Sequence, residues 1–169
     1  MLLMNCSLYE KVGDMDMVAP VVYLCASIRG GRQHCASYAE LARLLSTYGR
    51  LLNPHVGNMS MHGAEAIGTL QGDKRIHDRD VQWLEEADVV VAEVTQPSLG
   101  VGYEIGRAVA MNKPILCLFR PEPGLQLSAM VRGAHDRTKI IVRDYGDDNL
   151  AEILREFFKP YLENESLTL

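Results

Sequence analysis

At 169 residues, with 47% hydrophobic and 23% charged content, the chain has one domain's length and enough apolar material for a single buried core. A formal net charge of −5 excludes the extended basic face that a nucleic-acid polymer or an anionic membrane surface asks for, while leaving room for a small anion held by a few local donors. No stretch approaches the roughly 20 apolar residues of a membrane span, and residues 1–17 lack a basic start followed by a long apolar core, so the expected location is intracellular, in the cytoplasm and also the nucleus.

Residues 1–18 are Met-rich and aperiodic and read as an arm; one catalytic domain is expected over 19–163, with 164–169 as a tail. From Val21 onward, short β-branched runs alternate with helical patterns. Val21–Cys25 reads as a strand. Ser37–Tyr48 reads as a helix whose stripe of Leu41, Leu44, Leu45 and Tyr48 closes on Gly49 as a left-handed cap. Arg50–Leu52 follows as a short strand, and the Gly-, Met- and His-rich stretch Pro54–Gly72 is longer than a plain connection needs, so it is expected to form a lid or wall. Asp73 is expected to cap a helix running to Ala87, followed by strand Val89–Val94, helix Val101–Met111, strand Ile115–Phe119, strand Lys139–Val142 and helix Asn149–Tyr161. The runs VVYLC, VVVAEV and ILCLF are apolar without alternation, as strands buried on both faces are. This rhythm predicts an α/β fold, a doubly wound parallel sheet with helices on both faces. Cys6, Cys25, Cys35 and Cys117 form no C-x-x-C pair and no ligand spacing with the five histidines, so no metal site is expected and the cysteines read as small buried side chains.

In open parallel sheets the ligand crevice lies beyond the carboxyl ends of the strands. Three loops qualify: Ala26–Arg32, Thr95–Glu104 and Arg120–Arg132. The first offers Ser27, Arg29, Arg32 and close-approach glycines, a set suited to phosphate, yet it is not a Walker A sequence. Gly100-Val-Gly-Tyr-Glu-Ile-Gly106 likewise has one residue too many for the dinucleotide fingerprint. The carboxylates carry more information. Asp80 falls on the same helical stripe as Ile76, Trp83 and Leu84, where a carboxylate is either satisfied structurally or functional. Glu104 is placed in the first turn of its helix beside Pro97, Ser98, Gly100 and Gly102, either complementing the helix dipole or facing the crevice, with Tyr103 as a wall or an outward filler. A carboxylate pair across a crevice suits cleavage of a glycosidic bond through an oxocarbenium-like transition state, and that chemistry needs no metal or other cofactor.

The blocks Val22-Tyr-Leu-Cys-Ala-Ser-Ile-Arg-Gly-Gly31, Ile76-His-Asp-Arg-Asp-Val-Gln-Trp83, Ala87–Glu104 and Leu127-Ser-Ala-Met130 closely resemble the 2′-deoxynucleoside 5′-phosphate N-hydrolases, which belong with the nucleoside 2-deoxyribosyltransferases. The resemblance covers about Val21 to Tyr145. It implies a flavodoxin-like, Rossmann-like five-stranded domain acting as a homodimer on a small deoxynucleoside monophosphate, with no nucleic-acid polymer and no membrane as partner. It further implies Glu104 as the nucleophile at C1′ of the sugar, Asp80 serving the leaving base and then the attacking water, and Tyr23 orienting Glu104. The implied 5′-phosphate cradle is Ala26, Ser27, Ile28, Arg29, Gly30, Gly31 and Arg32 with Ser98 and Gly100. Ser128, with Ala129 and Met130, is implied to reach the phosphate from the neighbouring subunit, and Tyr38 and His55 are implied on the substrate side. The lid sequence Asn58-Met-Ser-Met-His-Gly63 follows no family pattern, so it carries no statement of base preference.

Two other readings compete. A deoxyribosyltransferase would pass the same sugar to a second base, but a serine and arginine cradle fits a monophosphate better than an unphosphorylated nucleoside. In a non-catalytic nucleotide-binding module, Glu104 and Asp80 would be structural.

Overall fold

The computed structural model describes residues 19–31, 33–58 and 68–162; the expected arm and tail, Arg32, and residues 59–67 of the expected lid lie outside the described residues. The elements in chain order are β1 Val21–Cys25, α1 Cys35–Leu45, β2 Arg50–Leu51, a 3-10 turn Pro54–Gly57, α2 Leu70–Glu86, β3 Val89–Glu93, α3 Leu99–Ala110, β4 Ile115–Phe119, a short α4 Ala129–Arg132, β5 Ile140–Asp144 and α5 Leu150–Leu162. The five strands form one all-parallel sheet in the order β2-β1-β3-β4-β5. The order reverses at β1 and β3, and the loops leaving these two strands therefore open a crevice at the carboxyl edge of the sheet.

Alternation along the strands divides the core into two layers. Val22, Leu24, Val89, Val91, Leu116 and Leu118 pack with residues of α1 and α5 on one face. Tyr23, Cys25, Val90, Ala92, Ile115 and Cys117 pack on the other with Leu84 of α2 and Val101, Ile105 and Ala108 of α3. Tyr23 and Cys25 thus point toward the layer that carries α2 and α3. Among the described residues, no helix is long and apolar enough to cross a membrane.

Two expected caps are corrected. The Thr69 side chain accepts from the Gly72 amide at 3.1 Å, so α2 begins at Leu70 and Asp73 lies inside its first turn. Gly49 is not a left-handed cap: α1 ends at Leu45, followed by Ser46 in right-handed helical geometry, and Gly49 instead makes room, since a Cβ there would lie 2.1 Å from the Pro20 carbonyl. The start of the expected lid is held firmly. A Cβ at Gly57 would sit 2.4 Å from the Ala39 Cα, so the 3-10 turn packs directly on the α1 backbone.

β2 pairs through only two residues, and a side chain continues its ladder. Buried Asn53 accepts from the Leu24 amide at 3.1 Å and donates to the Leu24 carbonyl at 2.7 Å. Truncating it would leave both buried backbone groups unpaired, at about 1–3 kcal/mol each. The β3 and β4 loops are tied in a similar way: the Thr95 hydroxyl accepts from the Arg120 amide at 2.7 Å and donates to the fully buried Glu93, which also accepts from Tyr145 at 3.1 Å. Burial raises the Glu93 carboxyl above its ordinary value.

Candidate active site

A cavity of about 540 Å³ opens between the β1 and β3 loops and the facing sides of α2 and α3. Glu104 lies at its base, in the second turn of α3 rather than the first, where dipole complementarity is weaker. The carboxylate is packed against the sheet layer of Tyr23 and Cys25. The Tyr23 hydroxyl donates to Glu104 Oε1 at 2.6 Å, and the Cys25 thiol is a further donor to the same group. Burial dominates its chemistry: desolvation, reinforced by the charge of Asp80, pushes the Glu104 pKa up to about 7 although the Tyr23 and Cys25 hydrogen bonds oppose the shift. The same desolvation, together with the Glu104 charge, raises both Tyr23 and Cys25 far above their ordinary values, so each remains a neutral donor.

Asp80 faces Glu104 from the middle of α2, and both line the cavity. The expectation that Asp80 sits on a buried stripe is only half right, because of this helix only Gly72 and Leu84 are buried and the Asp80 side chain keeps 24% of its exposure. The stripe turns toward an open cavity instead of a packed core. Arg79 Nε donates to Asp80 Oδ1 at 3.0 Å, and the Arg79 guanidinium lies over the Trp83 ring at 4.7 Å. Higher on the wall, His77 Nε2 and Tyr103 Oη are 2.9 Å apart, Arg107 donates to Tyr103 at 3.2 Å, and Arg29 pairs with Asp73 at 2.6 Å.

The loops after β1 and β3 complete the cavity. Ala26, Ile28, Arg29, Gly30, Ser98 and Gly100 line it. Ser27 lies just behind, fully buried, its hydroxyl without a partner among the described residues. Gly30 is sterically required, because a Cβ there would meet the Pro97 carbonyl at 2.7 Å and Ser27 Oγ at 2.9 Å. Gln96 Nε2 donates to the Gly30 carbonyl at 2.8 Å, joining the two loops, and Ser98 caps α3 by accepting from the Val101 amide. The cradle and the amino end of the 12-residue α3 together favour an anion.

Several expected residues lie elsewhere. Tyr38 is fully buried in the α1 and α5 layer, on the face of the sheet away from Glu104, and does not line the cavity. His55 also stays outside the lining and rests on Trp83, ring centroids 5.8 Å apart. Gly31 does not line the cavity and takes up a left-handed φ of 128°. Ser128, Ala129 and Met130 are exposed, and none of them reaches this chain's own cavity. Leu125 and Leu127 are partly buried against their own core, while Met130 remains 84% exposed. Cys25, His77 and Arg79 were not foreseen as site residues. For the first two the signal was available, since Cys25 follows Tyr23 by two residues on one strand face and His77 precedes Asp80 by one helical turn.

A five-stranded parallel sheet with Glu104, Asp80 and the glycine-bearing loops after β1 and β3 lining one cavity defines an α/β domain built around a small-molecule site. A family model for nucleoside 2-deoxyribosyltransferase matches residues 22–135, and the chain belongs to that family. It is 52% identical over 149 residues to the 5-hydroxymethyl-dUMP N-hydrolase of Mus musculus, covering 87% of this chain and 84% of that one. It is 54% identical over 143 residues to the protein of the same name in Danio rerio, with 85% and 99% covered. Among solved structures, the Clostridium botulinum CMP N-glycosidase shares the fold with a TM-score of 0.53 at 20% identity, over 79% of this chain and 97% of that one.

The raised Glu104 pKa has a stability consequence with a definite sign. The native carboxyl, near 7, holds its proton more tightly than the unfolded one, near 4.5, so ionisation opposes folding and wild-type stability should fall as pH rises between these values. Glu104→Gln stays neutral throughout. Urea unfolding should therefore show the variant level with wild type near pH 4 and more stable near pH 8, by about 1–3 kcal/mol. A difference that does not change with pH would contradict the buried, proton-retaining carboxylate.

Proposed function

We propose that this chain hydrolyses the N-glycosidic bond of 2′-deoxynucleoside 5′-monophosphates, releasing the free base and 2-deoxyribose 5-phosphate, and that 5-hydroxymethyl-dUMP is a substrate. The observation that carries this reading is Glu104 itself, a desolvated carboxylate held by the Tyr23 hydroxyl at 2.6 Å, sharing with Asp80 a cavity that the β1 and β3 loops also line. The names of the Mus musculus and Danio rerio relatives support the same reaction.

The proposed sequence of steps uses each group once per half-reaction. With the 5′-phosphate at Ser27, Arg29, Gly30, Ser98 and the start of α3, the sugar C1′ is brought over Glu104. The ionised Glu104 oxygen bonds to C1′ as the C1′–N bond breaks, its electron pair leaving with the base, which takes a proton from Asp80. Water then attacks C1′, Asp80 recovers a proton from it, and the bond to Glu104 breaks. Poor hydration of the Glu104 carboxylate makes it a reactive partner for the positive charge that develops on the sugar. Tyr23 keeps one oxygen engaged and so fixes the direction of the other.

The second component of the proposal is a homodimer in which Ser128 of each subunit completes the cradle of the other. Its support is position: Ser128 is exposed and outside its own cavity, makes no side-chain cap to α4, and is followed by the exposed Met130. Leu99, 96% exposed on the rim of the cavity, is a second large side chain that a partner would cover.

Incubation with a panel of deoxynucleotides should release free base from 5-hydroxymethyl-dUMP and other deoxynucleoside 5′-monophosphates, and far less from the matching nucleosides, because charge-assisted hydrogen bonds are worth about 1.5–3 kcal/mol each. Exchange into a second added base would instead favour a transferase, and no base release from any nucleotide would favour a binding module. Mixing Ser128→Ala subunits with Glu104→Gln subunits should give activity above either parent, since each mixed dimer then holds one site with both groups intact. Demonstrated subunit exchange without any gain would place Ser128 in its own chain's site or in none.

A further inference from the structure

The helix α2 places an arginine directly beside the base-side carboxylate, and nothing in the proposed chemistry so far employs it. Two contacts of Arg79 bear on the site. Its Nε donates to Asp80 Oδ1 at 3.0 Å, and its guanidinium carbon lies 4.7 Å from the centre of the Trp83 ring, one helical turn further on. The pair is partly shielded, with side-chain exposures of 32% and 24%, so the attraction is screened less than at an open surface. Neighbours in sequence on a helix do not ordinarily face each other, so the contact requires the arginine to fold back along the helix, and the aromatic face holds it there.

Trp83 also supports the other carboxylate. Its ring lies 6.3 Å from that of Tyr23, the donor to Glu104, and 5.8 Å from that of His55. One aromatic side chain therefore backs both Arg79, which holds Asp80, and Tyr23, which holds Glu104. Among the described residues, the charged and titratable groups that share the cavity with Asp80 or interact with it include Glu104 and Tyr103 from α3, Tyr23 and Cys25 from β1, Arg29 from the β1 loop, and Asp73 and His77 from α2 itself. Asp80 and Glu104 repel each other, and Arg79 makes a direct ionic contact to the first of them.

We propose that Arg79, stacked on Trp83, is a positioning residue for Asp80: it fixes the direction of that carboxylate across the cavity and favours its ionised form. This rests on the reading of Asp80 as the group that serves the leaving base and the water. In that reaction Asp80 gives its proton to the departing base and then accepts one from water, so a neighbouring positive charge stabilises the carboxylate that the first transfer leaves and that the second requires. The planar guanidinium, held by a ring on one side, supplies a direction as well as a charge, which a lysine ammonium does not.

The test compares Arg79→Gln and Arg79→Lys with wild type by three readouts. Carboxyl-carbon NMR of Asp80 should show its titration midpoint move upward in Arg79→Gln and stay closer to wild type in Arg79→Lys. Release of base from 5-hydroxymethyl-dUMP should fall roughly tenfold in kcat for Arg79→Gln with little change in KM, and recover in part in Arg79→Lys. Trp83 is the single tryptophan of the chain, so its fluorescence reports loss of the stack in both variants. An unshifted Asp80 midpoint in Arg79→Gln, with the fluorescence changed, would overturn the proposal and leave Arg79 a packing residue; so would an unchanged kcat in the presence of a shift. The carboxyl titration reads the Arg79–Asp80 contact whether or not wild type releases base. A wild type that releases none therefore removes the hydrolase reading, and with it the role of Arg79 in turnover, while the titration still judges the contact itself.

Discussion

Glu104 is held in a place where its charge is costly, and much of the surrounding structure is arranged around that cost. The carboxylate faces the apolar layer of β1 and β3 with two donors beneath it, the Tyr23 hydroxyl and the Cys25 thiol, both kept neutral by the same burial that raises the carboxyl. Two neutral donors orient a carboxylate without neutralising it. A buried lysine or arginine in their place would stabilise the charge in the ground state and blunt its attraction for a developing cation. The parallel sheet supplies the geometry, because alternate residues of one strand, Tyr23 and Cys25, reach the same point of a helix packed over them.

The loops and α2 bring different groups to the cavity. Backbone and hydroxyl groups of the β1 and β3 loops are joined by the Gln96–Gly30 hydrogen bond and by a contact at Gly30 that no larger residue permits. From α2 come Asp80 and, against it, Arg79. The lateral ties of the β3 loop, from Thr95 to Glu93 and to the Arg120 amide, hold the cradle from the far side of the sheet.

Most of the fold was legible in the chain. The unalternating runs VVYLC, VVVAEV and ILCLF gave β1, β3 and β4, since strands covered on both faces need no polar side, and their rhythm with helical stripes required a parallel order. Helix boundaries were less legible. Thr69 and Ser98 cap α2 and α3 through their hydroxyls, and a sequence that offers Asp73 four residues past Thr69 does not reveal which of the two caps α2. Gly49 shows the same limit, because its purpose is a close approach to Pro20, a tertiary contact with no local signature.

The site was legible through Glu104 and Asp80, whose types stand out at strand-end and stripe positions, and through the glycine-rich loops. Tyr38 was misplaced because the family resemblance carried no information about which face of α1 it occupies, and that face is packed in the α5 layer. Arg79 was missed for a different reason: a side chain one residue from Asp80 points away on an ideal helix, and only its stacking on Trp83 brings it back. The central claim is that Glu104 bonds to the sugar during turnover. It is tested most directly by rapid acid quench of the wild-type enzyme during its first turnover of 5-hydroxymethyl-dUMP, followed by peptide mass analysis. A deoxyribosyl phosphate adduct on the peptide containing Glu104 is expected, and base release with no adduct at any time would show that water, not Glu104, attacks the sugar.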